Sequence, residues 1–188
     1  MGAYRARDLR LLPNLVSLVR LPLAVVFPFT LERPAVSLGV IALAGASDVL
    51  DGHLARVRGE VTATGAVVDP VTDKLFVITV VLSLVIAGRI PVWGLPLLAA
   101  RDLGELPLVA FWALSRRHRR ARTEHPIANL PGKLATALQF GCVAAALFAP
   151  KLLAVLLVAT GLVGAIAAAS YWRRELEKVD RSRADRAS

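Results

Sequence analysis

Long hydrophobic stretches separated by short polar connections run along nearly the whole chain. Six of them approach the roughly 20 residues that a helix needs to cross a bilayer, and most contain isolated charges. In chain order they are residues 11–31, 34–55, 61–88, 90–115, 134–150 and 152–172. Connections such as Glu32-Arg33 and Pro150-Lys151 are very short. The pattern predicts an all-α, polytopic membrane protein with six transmembrane helices.

The two ends of the chain differ from this pattern. A short interfacial amphipathic helix is predicted around residues 6–12, ahead of the first span. The length fits one domain, which we place at residues 1–175. The remaining residues, 176–188, are rich in Arg, Asp, Ser and Ala, and this composition predicts a disordered tail.

Composition and charge predict how the protein is oriented in the membrane. Of the 188 residues, 56% are hydrophobic, which is unusual for a soluble domain, yet 20% are charged and the net charge is +9. With six spans, sixteen of the 23 basic residues fall on one side of the membrane, and only Arg33, Arg89 and Lys151 fall on the other. The positive-inside rule then places both termini in the cytoplasm. The basic run at residues 116–122 lacks interleaved aromatic residues, so it predicts contact with anionic membrane lipids and no nucleic-acid partner.

Four aspartates lie inside the second and third spans, where an ionisable group is costly and marks a functional position. Asp48 and Asp51 are three residues apart, and Asp69 and Asp73 are four apart. Each pair therefore occupies one face of its helix. The connection at residues 57–64 is short and polar, which makes the two helices antiparallel neighbours. All four carboxylates are expected in one pocket near the cytoplasmic surface.

Four carboxylates in one pocket repel one another and need cations. No His or Cys belongs to the group, and an all-oxygen ligand set suits Mg²⁺ or Mn²⁺ better than zinc. Four Asp side chains balance two divalent ions, which indicates a two-metal site. Arg56 and two glycines beside these ions would suit a phosphate-bearing substrate. A cation or proton pathway in a transporter is the alternative from another class, and the lack of an internal repeat disfavours it.

The same residues form an extended motif. Asp48-Val-Leu-Asp51-Gly52-His-Leu-Ala55-Arg56 is followed after eight residues by Gly65-Ala-Val-Val-Asp69-Pro-Val-Thr-Asp73. This run fits D-x2-D-G-x2-A-R-x8-G-x3-D-x3-D and resembles the signature of the CDP-alcohol phosphotransferase family at every fixed position. Asn14-Leu-Val-Ser17-Leu-Val-Arg20 is similar to the family's N-terminal N-x2-[ST]-x2-R. The resemblance covers about residues 10–173.

The resemblance implies an enzyme that transfers the phosphatidyl group of CDP-diacylglycerol to an alcohol and releases CMP. It also implies a homodimer in a bacterial-type inner membrane, with the active site on the cytoplasmic side. The implied ligands of two metal ions are Asp48, Asp51, Asp69 and Asp73, and Asp73 is also the implied general base. The implied CDP-lipid-binding residues are Gly52, Arg56, Thr62, Gly65, Asn14 and Ser17.

The alcohol acceptor is read from two further cations inside the later spans, Arg101 and Lys133. They predict an anionic acceptor such as a phosphate, although Arg101 could instead pair with Glu105 and Lys133 could reach the interface. The segments around Lys74, Arg101 and Lys133 resemble phosphatidylglycerophosphate synthases, which implies glycerol 3-phosphate as acceptor. Arg101-Asp102, where that branch usually has Arg-Glu, is also similar to CMP-forming cardiolipin synthases, which implies phosphatidylglycerol as the alternative.

Overall fold

The computed structural model describes residues 11–59, 62, 64–104 and 130–187. Every regular element in these ranges is a helix, which confirms the all-α prediction for the described part of the chain. The chain separates into two compact units, residues 1–90 and residues 91–188.

The described residues of the first unit form four α-helices and one 3-10 turn. They are α1 (Leu12–Leu18), α2 (Arg20–Val26), a 3-10 turn (Phe27–Thr30), α3 (Pro34–Arg58) and α4 (Gly65–Ile86). The break between α1 and α2 has a clear cause, because Pro22 has no N–H to donate to the carbonyl of Leu18. Proline also stands at the first position of α3, where its fixed φ favours helix initiation.

The connection between α3 and α4 begins with a left-handed residue. Gly59 has φ 65° and ψ 19° and follows directly on Arg58, the last residue of α3. A side chain would be strained in this conformation, so glycine ends the helix there. Helix α1 packs against both α3 and α4, and α2 packs against α4. This arrangement brings the motif residues of α1, α3 and α4 to one place.

The second unit contains α5 (Gly94–Leu98), α6 (Leu130–Phe148) and α7 (Pro150–Ala187), and residues 100–104 are also helical. Helices α6 and α7 form a hairpin, and α5 packs on α7. Hydrogen bonds tie these pieces together: Gln139 Nε2 donates to the Leu98 carbonyl at 2.7 Å, and Trp172 Nε1 donates to the Gly104 carbonyl at 2.9 Å. The backbone of α7 is helical to Ala187, where the sequence predicts a disordered tail, and the Glu, Lys and Arg of that stretch are good helix formers.

Three helical segments of the described residues are long and apolar enough to cross a membrane. They are Leu12–Thr30, Pro34–Arg58 and Pro150–Arg173, and Gly132–Phe148 is a shorter apolar helix. Helix α4 has 22 residues and carries the charges of Asp69, Asp73 and Lys74. The predicted interfacial helix at residues 6–12 and the basic run at residues 116–122 lie wholly or mostly outside the described residues.

The outer surface is rich in apolar side chains, and polar side chains share the interior with apolar ones. Large apolar side chains such as Phe29, Ile86 and Val155 face outward with most of their surface exposed. Polar side chains are buried among the helices of the first unit, namely Asn14, Ser17, Arg20, Thr30, Ser37, Ser47, Asp51, Thr72 and Ser83. Apolar outer surfaces, with charged groups kept inside among the helices, are what lipid contact favours.

Candidate active site

A buried arginine occupies the centre of the first unit. Arg20, at the start of α2, is 1% exposed. Its Nη2 lies 2.9 Å from Asp48 Oδ1 and also contacts Asp51 Oδ2, so one guanidinium pairs with both carboxylates of α3. Asp51 is 3% exposed and Asp48 is 57% exposed. The arginine therefore fixes one buried carboxylate and one that reaches the surface.

The other nitrogens of Arg20 bind neighbouring helices. Nη1 donates to the backbone carbonyl of Asp69 at 3.3 Å and to Thr72 Oγ1 at 3.4 Å, both on α4. Nε donates to Ser47 Oγ on α3 at 3.4 Å. The Thr72 and Ser47 hydroxyls also donate to backbone carbonyls of their own helices. A single side chain from α2 thus connects the two helices that carry the aspartates.

Ser17 joins the aspartates of α3 and α4 from α1. Its Oγ lies 2.6 Å from Asp51 Oδ2 and 2.5 Å from Asp69 Oδ1. It is also 3.1 Å from the Pro13 carbonyl. One hydroxyl carries one proton and cannot donate to all three oxygens at once. The carboxylates of Asp51 and Asp69 therefore lie close together around the Ser17 hydroxyl, whose single proton can be donated to only one of them at a time.

A second group of motif residues surrounds the start of α4. Thr62 Oγ1 accepts a hydrogen bond from the Gly65 N–H at 3.0 Å, which caps a backbone donor at the helix N-terminus. Asn14 of α1 packs directly against Gly65: a Cβ at that position would lie 2.7 Å from Asn14 Oδ1. Only glycine allows this approach. The structure thus brings together three of the predicted CDP-lipid-binding residues.

The remaining motif residues lie on α3 and α4. The guanidinium of Arg56 lies beside Gly52, where a Cβ would meet Arg56 Nη1 at an ordinary 3.6 Å. Arg56 is exposed, whereas Asp73 is half-buried on α4, one turn beyond Asp69. Asp73 also has a polar interaction. The predicted site residues of the first unit therefore lie on α1, α3 and α4, except Thr62, which lies in the connection between α3 and α4.

The side chains around Ser17 and Arg20 supply oxygen ligands of the kind that the predicted divalent ions need. Carboxylate oxygens from Asp48, Asp51 and Asp69 and one hydroxyl converge from three helices, and oxygen donors of this kind fit Mg²⁺ or Mn²⁺. Within the described ranges, no three His, Cys, Asp or Glu side chains are close enough to one another to hold a metal ion as they stand. The ligand atoms are thus of the type that a divalent ion prefers, and two of the carboxylates, those of Asp48 and Asp51, are paired with Arg20.

The predicted acceptor residues lie in the second unit. Arg101 Nη1 donates to Thr136 Oγ1 at 2.8 Å and to the Gly132 carbonyl at 3.3 Å, both on α6. Glu105, the alternative partner of Arg101, lies outside the described residues. Lys133, in the first turn of α6, is exposed. Arg101 thus has a structural role in joining residues 100–104 to α6.

Sequence reasoning assigned no role to Arg20, Ser47 or Thr72. Arg20 was visible as a charge inside a span and as the last residue of the N-terminal motif. Its place as the fixed arginine of that motif, inside an apolar span, was the available signal. Ser47 and Thr72 carried no comparable signal, since single hydroxyl residues are common in membrane helices.

Comparison with known proteins covers the same part of the chain. A family profile described as CDP-alcohol phosphatidyltransferase matches residues 10–169. That range contains the whole arrangement around Arg20 and Ser17 as well as Arg101 and Lys133. The chain belongs to the CDP-alcohol phosphatidyltransferase family. Membership confirms the resemblance read from the motif and places the protein in a membrane-embedded family of phospholipid enzymes.

Individual members of the CDP-alcohol phosphatidyltransferase family align with long parts of the chain. It is 32% identical over 133 residues to the cardiolipin synthase (CMP-forming) of Streptomyces coelicolor, covering 66% of this chain and 59% of the relative. It is 33% identical over 156 residues to the cardiolipin synthase (CMP-forming) of Rattus norvegicus, covering 74% and 50%. It is 34% identical over 110 residues to a probable phosphatidylglycerophosphate synthase of Mycobacterium tuberculosis, covering 54% and 52%. The chain spans about half to three fifths of the length of these curated relatives.

Proposed function

We propose that this protein transfers the phosphatidyl group of CDP-diacylglycerol to an alcohol acceptor and releases CMP. The observation that carries the proposal is the contact of Ser17 with both Asp51 and Asp69, which brings the two halves of the family signature to one point. Relatives that are named as phospholipid synthases support the same class of reaction.

Two Mg²⁺ or Mn²⁺ ions are part of the proposal. The side chains that would hold them are those of Asp48, Asp51, Asp69 and Asp73. When bound, such ions supply positive charge that neutralises the pyrophosphate and stabilises the negative charge developing on the leaving CMP. Substrate binding and proton transfer are assigned to side chains of the protein.

The nucleotide end of the donor is assigned to the group around the start of α4. Asn14, Thr62 and Gly65 are in contact there, next to the N-terminal end of a helix whose dipole favours negative charge. Arg56 beside Gly52 offers a guanidinium for a phosphate oxygen, and Ser17 is also assigned to the nucleotide end. The acyl chains of the donor would remain in the lipid beside the apolar outer surface.

Asp73 is the proposed general base. The acceptor hydroxyl oxygen attacks the phosphorus of the phosphatidyl group as its proton passes to the Asp73 carboxylate. A new P–O bond forms, the bond to CMP breaks, and CMP leaves with the bonding electron pair. Positioning of two charged reactants should account for most of the rate, as in other phosphoryl transfers.

Two acceptors are consistent with the relatives. The motif resemblance around Lys74, Arg101 and Lys133 favours glycerol 3-phosphate, and a phosphatidylglycerophosphate synthase is among the relatives. Relatives named cardiolipin synthase (CMP-forming) match a larger share of the chain, which favours phosphatidylglycerol as the second candidate. Both acceptors carry a phosphate that Arg101 and Lys133 are proposed to bind.

The finer architecture is also part of the proposal. We place six helices across a bacterial-type inner membrane, with both termini and the four aspartates on the cytoplasmic side, where 16 of the 23 basic residues lie. A homodimer is proposed from the family resemblance. Three of the six spans are supported by helices that are long and apolar enough to cross a membrane.

An acceptor panel tests the proposed function. The purified protein in lipid vesicles receives CDP-diacylglycerol, Mg²⁺ and either glycerol 3-phosphate, phosphatidylglycerol, inositol phosphate or serine, and CMP and the lipid product are quantified. CMP release with glycerol 3-phosphate or phosphatidylglycerol is expected. Preference for serine, which carries no phosphate, would remove the proposed role of Arg101 and Lys133. No CMP release with any acceptor, together with cation flux, would establish the transporter instead.

A further inference from the structure

Arg20 is the most deeply buried charged group in the described residues, and the proposed chemistry gives it no task. It is 1% exposed and makes two ion pairs, to Asp48 and Asp51, plus hydrogen bonds to the Asp69 carbonyl, Thr72 and Ser47. A buried guanidinium with this many partners is strongly held, because removing one side of a buried ion pair leaves the other charge unpaired.

The charge around Arg20 is not balanced by Arg20 alone. Its single positive charge faces the carboxylates of Asp48 and Asp51 directly, and Ser17 holds the carboxylate of Asp69 against that of Asp51. Three carboxylates gathered in this way repel one another. Without Arg20 the repulsion would act between α3 and α4 without the positive charge that Arg20 now supplies to Asp48 and Asp51, unless a bound cation replaced it.

We propose that Arg20 is a positioning residue that serves as the internal counter-ion of the aspartate cluster and competes with divalent cations for the charge of Asp48 and Asp51. The proposal deepens the proposed function, because it concerns the carboxylates assigned to the metal ions. Arg20 keeps the cluster assembled in the absence of metal and weakens metal binding when metal is present. Folding is thereby made less dependent on the supply of Mg²⁺.

The guanidinium geometry supports a counter-ion that can shift without leaving the site. Nη2 contacts the two carboxylates, while Nη1 and Nε contact neutral acceptors on α4 and α3. A cation bound at Asp51 would take over the charge that Nη2 now neutralises. The neutral contacts would still satisfy the rest of the guanidinium, so that metal binding would not require a buried arginine to lose all its partners.

The test compares thermal unfolding of the full-length protein in detergent, with and without divalent cation. Wild type, Arg20→Met, Arg20→Lys and Arg89→Met are titrated with Mg²⁺ after treatment with a chelator. Arg89 is the matched control, since it is a half-buried arginine of the same unit whose Nη2 donates to the Leu31 carbonyl at 2.8 Å. Wild type and the three variants are purified in Mg²⁺ so that a variant unstable without metal can still be measured.

The expected result is specific to Arg20. Arg20→Met should have a lower melting temperature than wild type in chelator and should recover much of the loss in Mg²⁺. Its half-maximal Mg²⁺ concentration should fall about tenfold, since stabilisation by a ligand follows its affinity for the folded state. Arg20→Lys keeps the charge and should show the Mg²⁺ response of wild type. The melting temperature of Arg89→Met should lie below that of wild type by the same number of degrees in chelator and in Mg²⁺.

An Mg²⁺ response of Arg20→Met equal to or smaller than that of wild type would overturn the proposal, because Arg20 would then be only structural or would assist metal binding. Mg²⁺ recovery of Arg89→Met equal to that of Arg20→Met would also overturn it. Failure of the proposed function is distinguishable, since an absence of CMP release from wild type would leave these melting curves unchanged.

Discussion

The approach of Asn14 to Gly65 gives a sharp prediction about the proposed nucleotide end of the site. In Gly65→Ala the new Cβ would lie 2.7 Å from Asn14 Oδ1 and 3.3 Å from Thr62 Oγ1. The first distance is far shorter than an ordinary contact, and Asn14 is only 3% exposed, so it has little room to move. Overpacking of this kind costs about 1–3 kcal/mol, which exceeds the gain of about 0.5–1 kcal/mol from replacing a helical glycine.

Gly45→Ala is the matched control. Gly45 lies on α3, and a Cβ there would meet no atom within 4 Å. That variant should be as stable as wild type or more stable by about 0.5–1 kcal/mol. The melting temperature and the rate of CMP release should both be lower in Gly65→Ala than in wild type. Neither should be lower in Gly45→Ala.

A double-mutant cycle tests the cause. Asn14→Ala removes the atoms that clash, so the stability loss of Gly65→Ala should be smaller in the Asn14→Ala background, with a coupling energy of about 0.5–3 kcal/mol. Because Asn14 is itself a proposed substrate contact, the cycle is read from unfolding and not from activity. Additive stability changes, or equal losses in Gly65→Ala and Gly45→Ala, would refute the proposed packing.

Three further predictions concern chemistry, acceptor and orientation. Asp73→Asn should lower CMP release at least a hundredfold while CDP-diacylglycerol binding measured by equilibrium dialysis is retained, and release at the wild-type rate would exclude Asp73 as the base. Arg101→Ala should raise the KM for the phosphate-bearing acceptor about tenfold or more. Thr136→Val should not raise it, since that change removes only the 2.8 Å hydrogen bond from Arg101 and the 3.1 Å hydrogen bond of the Thr136 hydroxyl to the Gly132 carbonyl; equal effects would reduce Arg101 to a structural tie. In a Cys142→Ala background, Arg58→Cys should react with an impermeant maleimide only from the cytoplasmic face and Arg33→Cys only from the opposite face, and the reverse labelling would invert the proposed topology.

Helical spacing was sufficient to anticipate the central geometry. Asp51 and Asp69 lie 18 residues apart in the sequence, yet the short connection after α3 and the i, i+3 and i, i+4 periodicity direct them toward each other. The structure brings both onto Ser17. The outward apolar side chains and the all-helical class likewise follow from the pattern of the sequence.

The contacts of Arg20 could not be predicted from helical spacing. A charged residue in an apolar span signals function, but the sequence does not say which of several acidic residues it contacts. That choice depends on the break at Val19 caused by Pro22, which starts a new helix at Arg20. The hydrogen bonds of Arg101 to α6 are similar, since their partner lies more than 30 residues away and periodicity within one helix carries no information about it.

The most direct test of the account is divalent-dependent CMP release by wild type and Asp69→Asn, with Glu32→Gln as control. Glu32 is an exposed carboxylate of the turn before α3 and has no place in the proposed site. The account predicts that wild type and Glu32→Gln release CMP from CDP-diacylglycerol only when Mg²⁺ or Mn²⁺ is added, and that Asp69→Asn releases it at least a hundredfold more slowly. CMP release by Asp69→Asn at the wild-type rate, or release by wild type in excess chelator, would contradict the account.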